Sequence, residues 1–281
     1  MLNIDLHCHS SVSDGLLSPA RLVEHAALRG VNVLALTDHD DVAGLTEARI
    51  AAREKNITLI NGVEISVTWQ GRTLHIIGLG INPEYPPLEG GLAWIRVGRM
   101  RRARNIAAEL DRCGIHGSLE GAYAYAGDGR LIGRTHFARF LVEKGYAKDV
   151  RSVFKKYLVK GKPGYTPHQW ATLNDAVSWI RESGGQAVIA HPARYQLGKN
   201  ILEALLHEFR ELGGTGLEII SPTHTAEQVK LFATHAQRLN FLASCGSDYH
   251  GPGESYFDLG QLPPLPAGCK PIWHDWNIEK N

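Results

Sequence analysis

The opening segment NIDLHCHSSVSDG carries His7, His9 and Asp14 within fourteen residues of the start. Ile4, Leu6 and Cys8 alternate with Asp5, His7 and His9, the period of a half-buried strand. Residues two apart on a strand share a face and lie ~7 Å apart, a separation that two imidazoles on one metal ion can close. One packed and one surface histidine would give the same pattern, so the rest of the chain has to decide. Further imidazoles and carboxylates recur at the ends of apolar, β-rich runs. Asp38 and His39 lie in TDHDD, Glu64 closes LINGVE, and His75 lies in RTLHIIG. His191 ends QAVIAHP, and Asp248 and His250 follow LASCG. In parallel α/β barrels the carboxyl ends of the strands open onto one face, where active sites are built. Scattered core histidines would account for one or two of these positions, not for nearly all of them. Imidazole and carboxylate without thiolate suit manganese, iron or zinc and speak against a closed structural zinc site. Several adjacent divalent ions would acidify water and neutralise a phosphate ester. Asp5 and Asp38, next to these histidines, read equally as groups that orient them or as caps of turns and strand ends.

The elements that must position these residues are legible as seven β-rich runs: Asn3–Cys8, Val33–Thr37, Thr58–Ile65, Thr73–Gly80, Gln186–Ala190, Gly216–Ser221 and Asn240–Cys245. Helical patterns separate several of them. SPARLVEHAALRG opens with Ser18 as N-cap and Pro19 at the first helical position, and closes at Gly30. DVAGLTEARIAAREKN, TLNDAVSWIRESGG, NILEALLHEFRELGG and TAEQVKLFATHAQRLN read the same way. Strand–helix–strand succession implies parallel βαβ units. The runs at Thr58 and Thr73 are joined too tightly for a helix, which points to a hairpin. The alternation stops after NPEYPPLEGG, a linker by composition, and residues 92–112 and 134–160 read as helices. AGDGR near residue 128 reads as a turn. The expected organisation is an α/β barrel over residues 1–89 and 171–281, interrupted by a helical subdomain over 90–170.

At 281 residues, 43% hydrophobic and 21% charged, the composition is that of a globular protein. The N-terminus shows no leader pattern and no run is long enough to span a membrane, so the expected location is the cytoplasm. Cys8, Cys113, Cys245 and Cys269 are far apart with no CxxC, which argues against disulfides; Cys8 and Cys245 read as core. Residues 90–170 hold sixteen Lys and Arg against six Asp and Glu, although the whole chain has a formal charge of only +1. Such a split suggests that the insert faces an anion.

Taken together, DLHCHS, SDG, TDHD, GVEIS, HIIGLG, AHPAR and GSDYHG resemble the PHP (polymerase and histidinol phosphatase) family, in the usual order and across nearly the whole chain. The resemblance implies a distorted (β/α)7 barrel and a centre of two or three divalent ions, manganese first, with iron and zinc compatible. It implies that His7, His9, Glu64 and Asp248 hold one ion. Glu64, His75 and His191 would hold a second, with Glu64 bridging, and Asp14, His39 and His250 a third. Glu64, Asp248 and His250 are then the expected catalytic residues.

The insert suggests what is bound. WIRVGRMRRARN places Arg96, Arg99 and Arg102 on one helical face, and GRTHFAR adds Arg134 and His136 beside Gly133. Guanidinium groups grip phosphate bidentately and keep their charge. With the metals on the phosphate to be cut, Arg99, Arg102, Arg134 and His136 would bind a second anionic group. VGRMRRARN followed by LIGRTHFARFLVEKG looks like the PHP phosphatases of 3′,5′-nucleoside bisphosphates, whose relatives trim short RNA from the 5′ end. The expected activity is removal of the 3′-phosphate from a nucleoside 3′,5′-bisphosphate, with His136, His250 or a bound water as proton donor. The alternatives are a 5′-to-3′ exonuclease on short RNA, a histidinol-phosphate-type phosphatase, or a metal-stabilised accessory domain without activity. No duplex DNA or membrane partner is expected.

Overall fold

A computed structural model describes residues 2–127 and 131–278; the AGDGR turn thus lies outside the described residues beyond Gly127. The strands are β1 (Ile4–Cys8), β2 (Val33–Leu36), β3 (Thr58–Trp69), β4 (Arg72–Leu79), β5 (Gln186–Ile189), β6 (Gly216–Ile220) and β7 (Leu242–Cys245). They form one seven-stranded sheet in chain order. Its edges meet: Cys8 bridges to Tyr249 in parallel, His9 N–H donates to Tyr249 O at 2.8 Å, and Asp248 N–H donates to His7 O at 2.9 Å. The sheet is therefore a nearly closed barrel, as the distorted (β/α)7 expectation has it.

The distortion has a definite place. β1, β2 and β3 pair in parallel, as do β5, β6 and β7, whereas β4 runs antiparallel to both β3 and β5. The hairpin expected at SVTWQGR is the cause, since a turn at Gln70 and Gly71 leaves no room for a crossover helix. β3 also outruns its partner. β2 pairs only as far as Asn61, and the remainder of the 12-residue β3 continues against β4. Every residue of β1, β2 and β6 is buried, as expected of strands covered on both faces.

Helices α1 (Pro19–Leu28) and α2 (Leu45–Glu54) follow the first two strands. Ser18 Oγ accepts the Arg21 N–H at 3.4 Å, the cap its sequence position predicts. The basic region then builds α3 (Pro86–Asp111), α4 (Ser118–Tyr123), α5 (Arg134–Glu143) and α6 (Val150–Val153), the last running into a π-turn at Phe154–Leu158. Helices α7 (Leu173–Glu182), α8 (Lys199–Glu211) and α9 (Ala226–Leu239) close the barrel's outer layer.

Two expectations change here. The presumed linker already belongs to α3, because Pro86 and Pro87 sit in the first turn, where a missing N–H costs nothing. The helix expected over 134–160 breaks at Gly145, whose φ of +76° ends α5 in a left-handed turn. Leu88, Leu92 and Ile95 of α3 pack into the barrel's core. Ala103, Ile106 and Leu110, further along the same helix, join Phe137, Phe140, Leu141 and Leu158 in a core of the insert's own.

Candidate metal centre and anion pocket

All nine residues expected to hold metal converge at one end of the barrel. His7 and His9 project from the end of β1, and His39 follows β2. His191 lies two residues past β5, and Asp248 and His250 follow β7. Glu64 is mid-strand rather than at a strand end; β2 has stopped beside it, and only the His39–Glu64 bridge remains. His75 reaches the same face from the beginning of β4, because the reversed strand starts where its neighbours finish.

Four groups of ligand atoms lie close enough to share an ion: His9, Asp14, His39 and His250; His7, His9 and Asp248; His7, Glu64 and His191; and His39, Glu64 and His75. Glu64 is central to them. Its Oε1 lies 2.9 Å from both His75 Nδ1 and His191 Nε2 and 3.4 Å from His7 Nε2. Its Oε2 lies 2.8 Å from His39 Nδ1 and 3.4 Å from His9 Nε2. Asp248 Oδ1 is 3.5 Å from His7 Nε2 and 3.3 Å from His9 Nε2. Asp14 Oδ1 faces His250 Nε2 at 3.2 Å and both His9 Nδ1 and His39 Nε2 at 4.0 Å.

The electrostatics fit divalent ions. Burial opposes the charge on Glu64, yet His39, His75 and His7 hold its carboxyl well below the usual range. Burial likewise opposes charge on Asp14 and Asp248; His250 and His39 depress the first, Arg194 and His7 the second. Burial and the charge of His250 push His9 down to about 3, leaving its lone pair available. Glu64 Oε2 and His39 Nδ1, though 2.8 Å apart, are not aligned for a hydrogen bond and with Asp14 Oδ1 are buried without one, and His7 Nε2 and His9 Nε2 face each other at 3.2 Å. Buried acceptors left unpaired are costly; a cation among them would satisfy the set.

The supporting groups include several that sequence reasoning passed over. Glu218, fully buried in β6, lies 3.0 Å from His7 Nδ1 and accepts the His191 N–H at 2.5 Å. A carboxylate inside the apolar run GLEII was its signal. Arg194 of the AHPAR motif donates to Asp248 Oδ2 at 2.6 Å while its side chain stays 43% exposed. Tyr195 Oη accepts the His75 N–H at 2.8 Å. Asp38 accepts Ser10 N–H at 2.8 Å and the Ser10 and Ser13 hydroxyls at 2.6 Å, tying down the loop before Asp14. Asp5 accepts the Ser247 N–H at 3.0 Å, so both aspartates act as loop anchors. His191, Asp248 and Asp40 have φ of +29°, +49° and +48°, a region that costs non-glycine residues energy.

Arg99, Arg102 and Arg134 line one cavity with Gly133, Phe137 and Trp170. Arg99 and Arg102 lie 4.9 and 5.3 Å from the Trp170 ring centre, within cation–π range. Buried Arg99 donates to Asp40 Oδ2 at 2.7 Å through Nε, and to Ser66 Oγ at 2.8 Å. Arg102 and Arg134 donate only to carbonyls among the described residues, those of Thr166 at 3.1 Å and Leu158 at 3.5 Å. Burial and the neighbouring Arg134 and Arg99 lower Arg102 to about 9, a crowding of positive charge that an anion would relieve. Arg96 turns away to Asp40 O. His136 differs from expectation. It is fully buried, and its Nδ1 accepts the Gly133 N–H at 3.0 Å, capping its own helix. Burial pushes it down to about 4, so it is neutral at pH 7, does not line the cavity, and is unsuited to donating a proton. Phe137 and Phe140 are core, while Trp94 is exposed on α3.

The PHP domain model matches residues 5–221. The chain belongs to the PHP domain family. It is 50% identical over 275 residues to a 3′,5′-nucleoside bisphosphate phosphatase of Chromobacterium violaceum, covering 98% of this chain and 96% of that protein. It is 41% identical over 269 residues to a 5′-3′ exoribonuclease of Haemophilus influenzae, covering 96% and 97% of the two chains. A solved Chromobacterium violaceum amidohydrolase with bound sulfate and no metal superposes with a TM-score of 0.94 at 50% identity, covering 96% of this chain and 94% of that one. Among the described residues no helix is long and apolar enough to cross a membrane.

Proposed function

We propose that this PHP protein is a metal-dependent phosphatase that removes the 3′-phosphate of nucleoside 3′,5′-bisphosphates such as adenosine 3′,5′-bisphosphate, leaving the 5′-monophosphate. The observation that carries this reading is the pairing of a nine-residue imidazole–carboxylate cluster with a three-arginine cavity whose Arg99 bonds Asp40, next to His39, and Ser66, two residues from Glu64. His7, His9, Glu64 and Asp248 would hold one ion, Glu64, His75 and His191 a second, and Asp14, His39 and His250 a third. Manganese is the ion we propose. Bound divalent ions would supply an activated water and neutralise charge on the reacting phosphate.

The chain's own residues do the rest. Arg99, Arg102 and Arg134 hold the 5′-phosphate, which fixes the sugar and presents its 3′-phosphate to the cluster. Arg194, anchored on Asp248 and otherwise exposed, offers its remaining N–H donors to the reacting phosphate. Glu64 and Asp248 keep the cluster's negative charge. His250 is held in place for the cluster by its Nδ1, 2.8 Å from the Asp248 carbonyl, and the proton that the sugar 3′-oxygen needs would come from a bound water.

The Haemophilus influenzae relative supports a second reading, 5′-to-3′ trimming of short RNA, in which the same cavity would take the 5′-terminal phosphate. Steady-state assays with manganese against adenosine 3′,5′-bisphosphate, a short 5′-phosphorylated RNA and histidinol phosphate separate the readings. The bisphosphate is expected to have the highest kcat/KM. A higher value for the RNA would reverse the order of the two, and turnover of none would remove the enzyme reading.

A further inference from the structure

The four ligand atoms of the His9, Asp14, His39 and His250 group come from three loops, and two of those loops are held by one helix of the insert. Arg139 on α5 is buried. Its Nη2 donates to the Asp14 carbonyl at 2.6 Å. The same guanidinium grips Glu254 bidentately, Nε at 2.9 Å and Nη2 at 2.7 Å. Glu254 belongs to the turn after His250, where Ser255 Oγ accepts the His250 N–H at 2.7 Å. Asp14 and His250 face each other at 3.2 Å, so a single guanidinium spans the two loops that carry them. One turn earlier on α5, the Thr135 hydroxyl donates to Asp14 Oδ2 at 2.8 Å. That bond occupies one carboxylate oxygen and leaves the other, Oδ1, buried and without a partner, facing three imidazoles.

We infer that Arg139 is a positioning residue for one ion. It clamps the Asp14 and His250 loops at the spacing that lets them share a cation, with Thr135 setting which Asp14 oxygen is presented. This inference rests on the metal reading proposed above. Arg139 touches neither substrate nor metal in it. Groups that orient metal ligands typically contribute 10–100-fold in metal affinity or activity, because an ion then binds a prepared site instead of organising two loops. The inserted subdomain would accordingly complete the metal centre as well as cover it.

The test is manganese binding by equilibrium dialysis to chelator-stripped wild-type protein, Arg139→Met and Glu254→Gln, with circular dichroism to check folding. Arg139→Met is expected to bind one ion at least tenfold more weakly while the remaining ions stay bound as in wild type. Glu254→Gln should weaken the same ion less and is less exposed to misfolding, since its side chain is partly solvent-facing. The double variant should lose less than the product of the two single effects, as residues of one clamp do. Raised manganese should restore most of the Arg139→Met kcat, which a damaged fold would not allow. Wild-type binding of every ion in both single variants overturns the positioning role alone. A wild-type protein that binds no divalent ion overturns the metal reading and this inference with it.

Discussion

Glu64 and Arg134 carry opposite halves of the account at the scale of single residues. Glu64 touches five imidazoles through two oxygens, so removing its charge should disturb more than one ion. Glu64→Gln is expected to lower bound manganese, measured by elemental analysis, by more than one ion per chain and to abolish turnover; full occupancy would exclude a bridging role. Arg134 is expected to act through the phosphate that is not cut. A charge-assisted hydrogen bond contributes ~1.5–3 kcal/mol, or roughly tenfold to a hundredfold in kcat/KM. Arg134→Ala should lose that factor on the bisphosphate and much less on p-nitrophenyl phosphate, which has no second anion. Equal losses on both would reassign Arg134 to the reacting phosphate or to the fold. Glu64 was legible as a carboxylate closing an apolar run, and Arg134 as part of a basic segment beside Gly133. Glu218, Arg194 and Arg139 were not, since each acts through a partner far away in sequence. Arg139 reaches Glu254 across 115 positions, a contact that no local pattern encodes.

The unit that matters at the scale of elements is the strand end. Seven strands were readable from β-branched runs and turn residues, and so was the hairpin that reverses β4, because a two-residue turn excludes a crossover. The length of β3 was not readable. Its Glu64 ends an apolar run in sequence, but the strand continues past it because β4, not β2, supplies its partner. Barrel closure depends on a similarly non-local fact. A Cβ on Gly246, just past β7, would overlap His7 Cβ on β1 and crowd Glu218 Oε1. Gly246→Ala should therefore cost about 1–3 kcal/mol by overpacking, measurable by urea denaturation, and weaken manganese binding by displacing His7. Unchanged stability and unchanged metal affinity together would show that the β1–β7 seam is looser than its geometry implies.

For the whole molecule, the proposed function has the basic insert and the acid-rich barrel serve one site, arginines from one and carboxylates from the other. The charge split was visible in composition, whereas the contacts across it were not; α3 contributes to the barrel's core at one end and to the insert's at the other. Ions that bind only the folded chain stabilise it, by about 4 kcal/mol at a thousandfold excess over Kd. Manganese added to chelator-treated protein should thus raise Tm by on the order of 10 °C, read by differential scanning calorimetry; an unchanged Tm would contradict a metal centre at the barrel mouth. The central claim is that the arginine cavity keeps one phosphate while the cluster releases the other. ³¹P NMR of adenosine 3′,5′-bisphosphate incubated with the manganese-loaded protein tests it most directly. The account predicts inorganic phosphate and adenosine 5′-monophosphate in equal amounts, with neither formed after chelation. Adenosine 3′-monophosphate as the product, or no phosphate release, would contradict it.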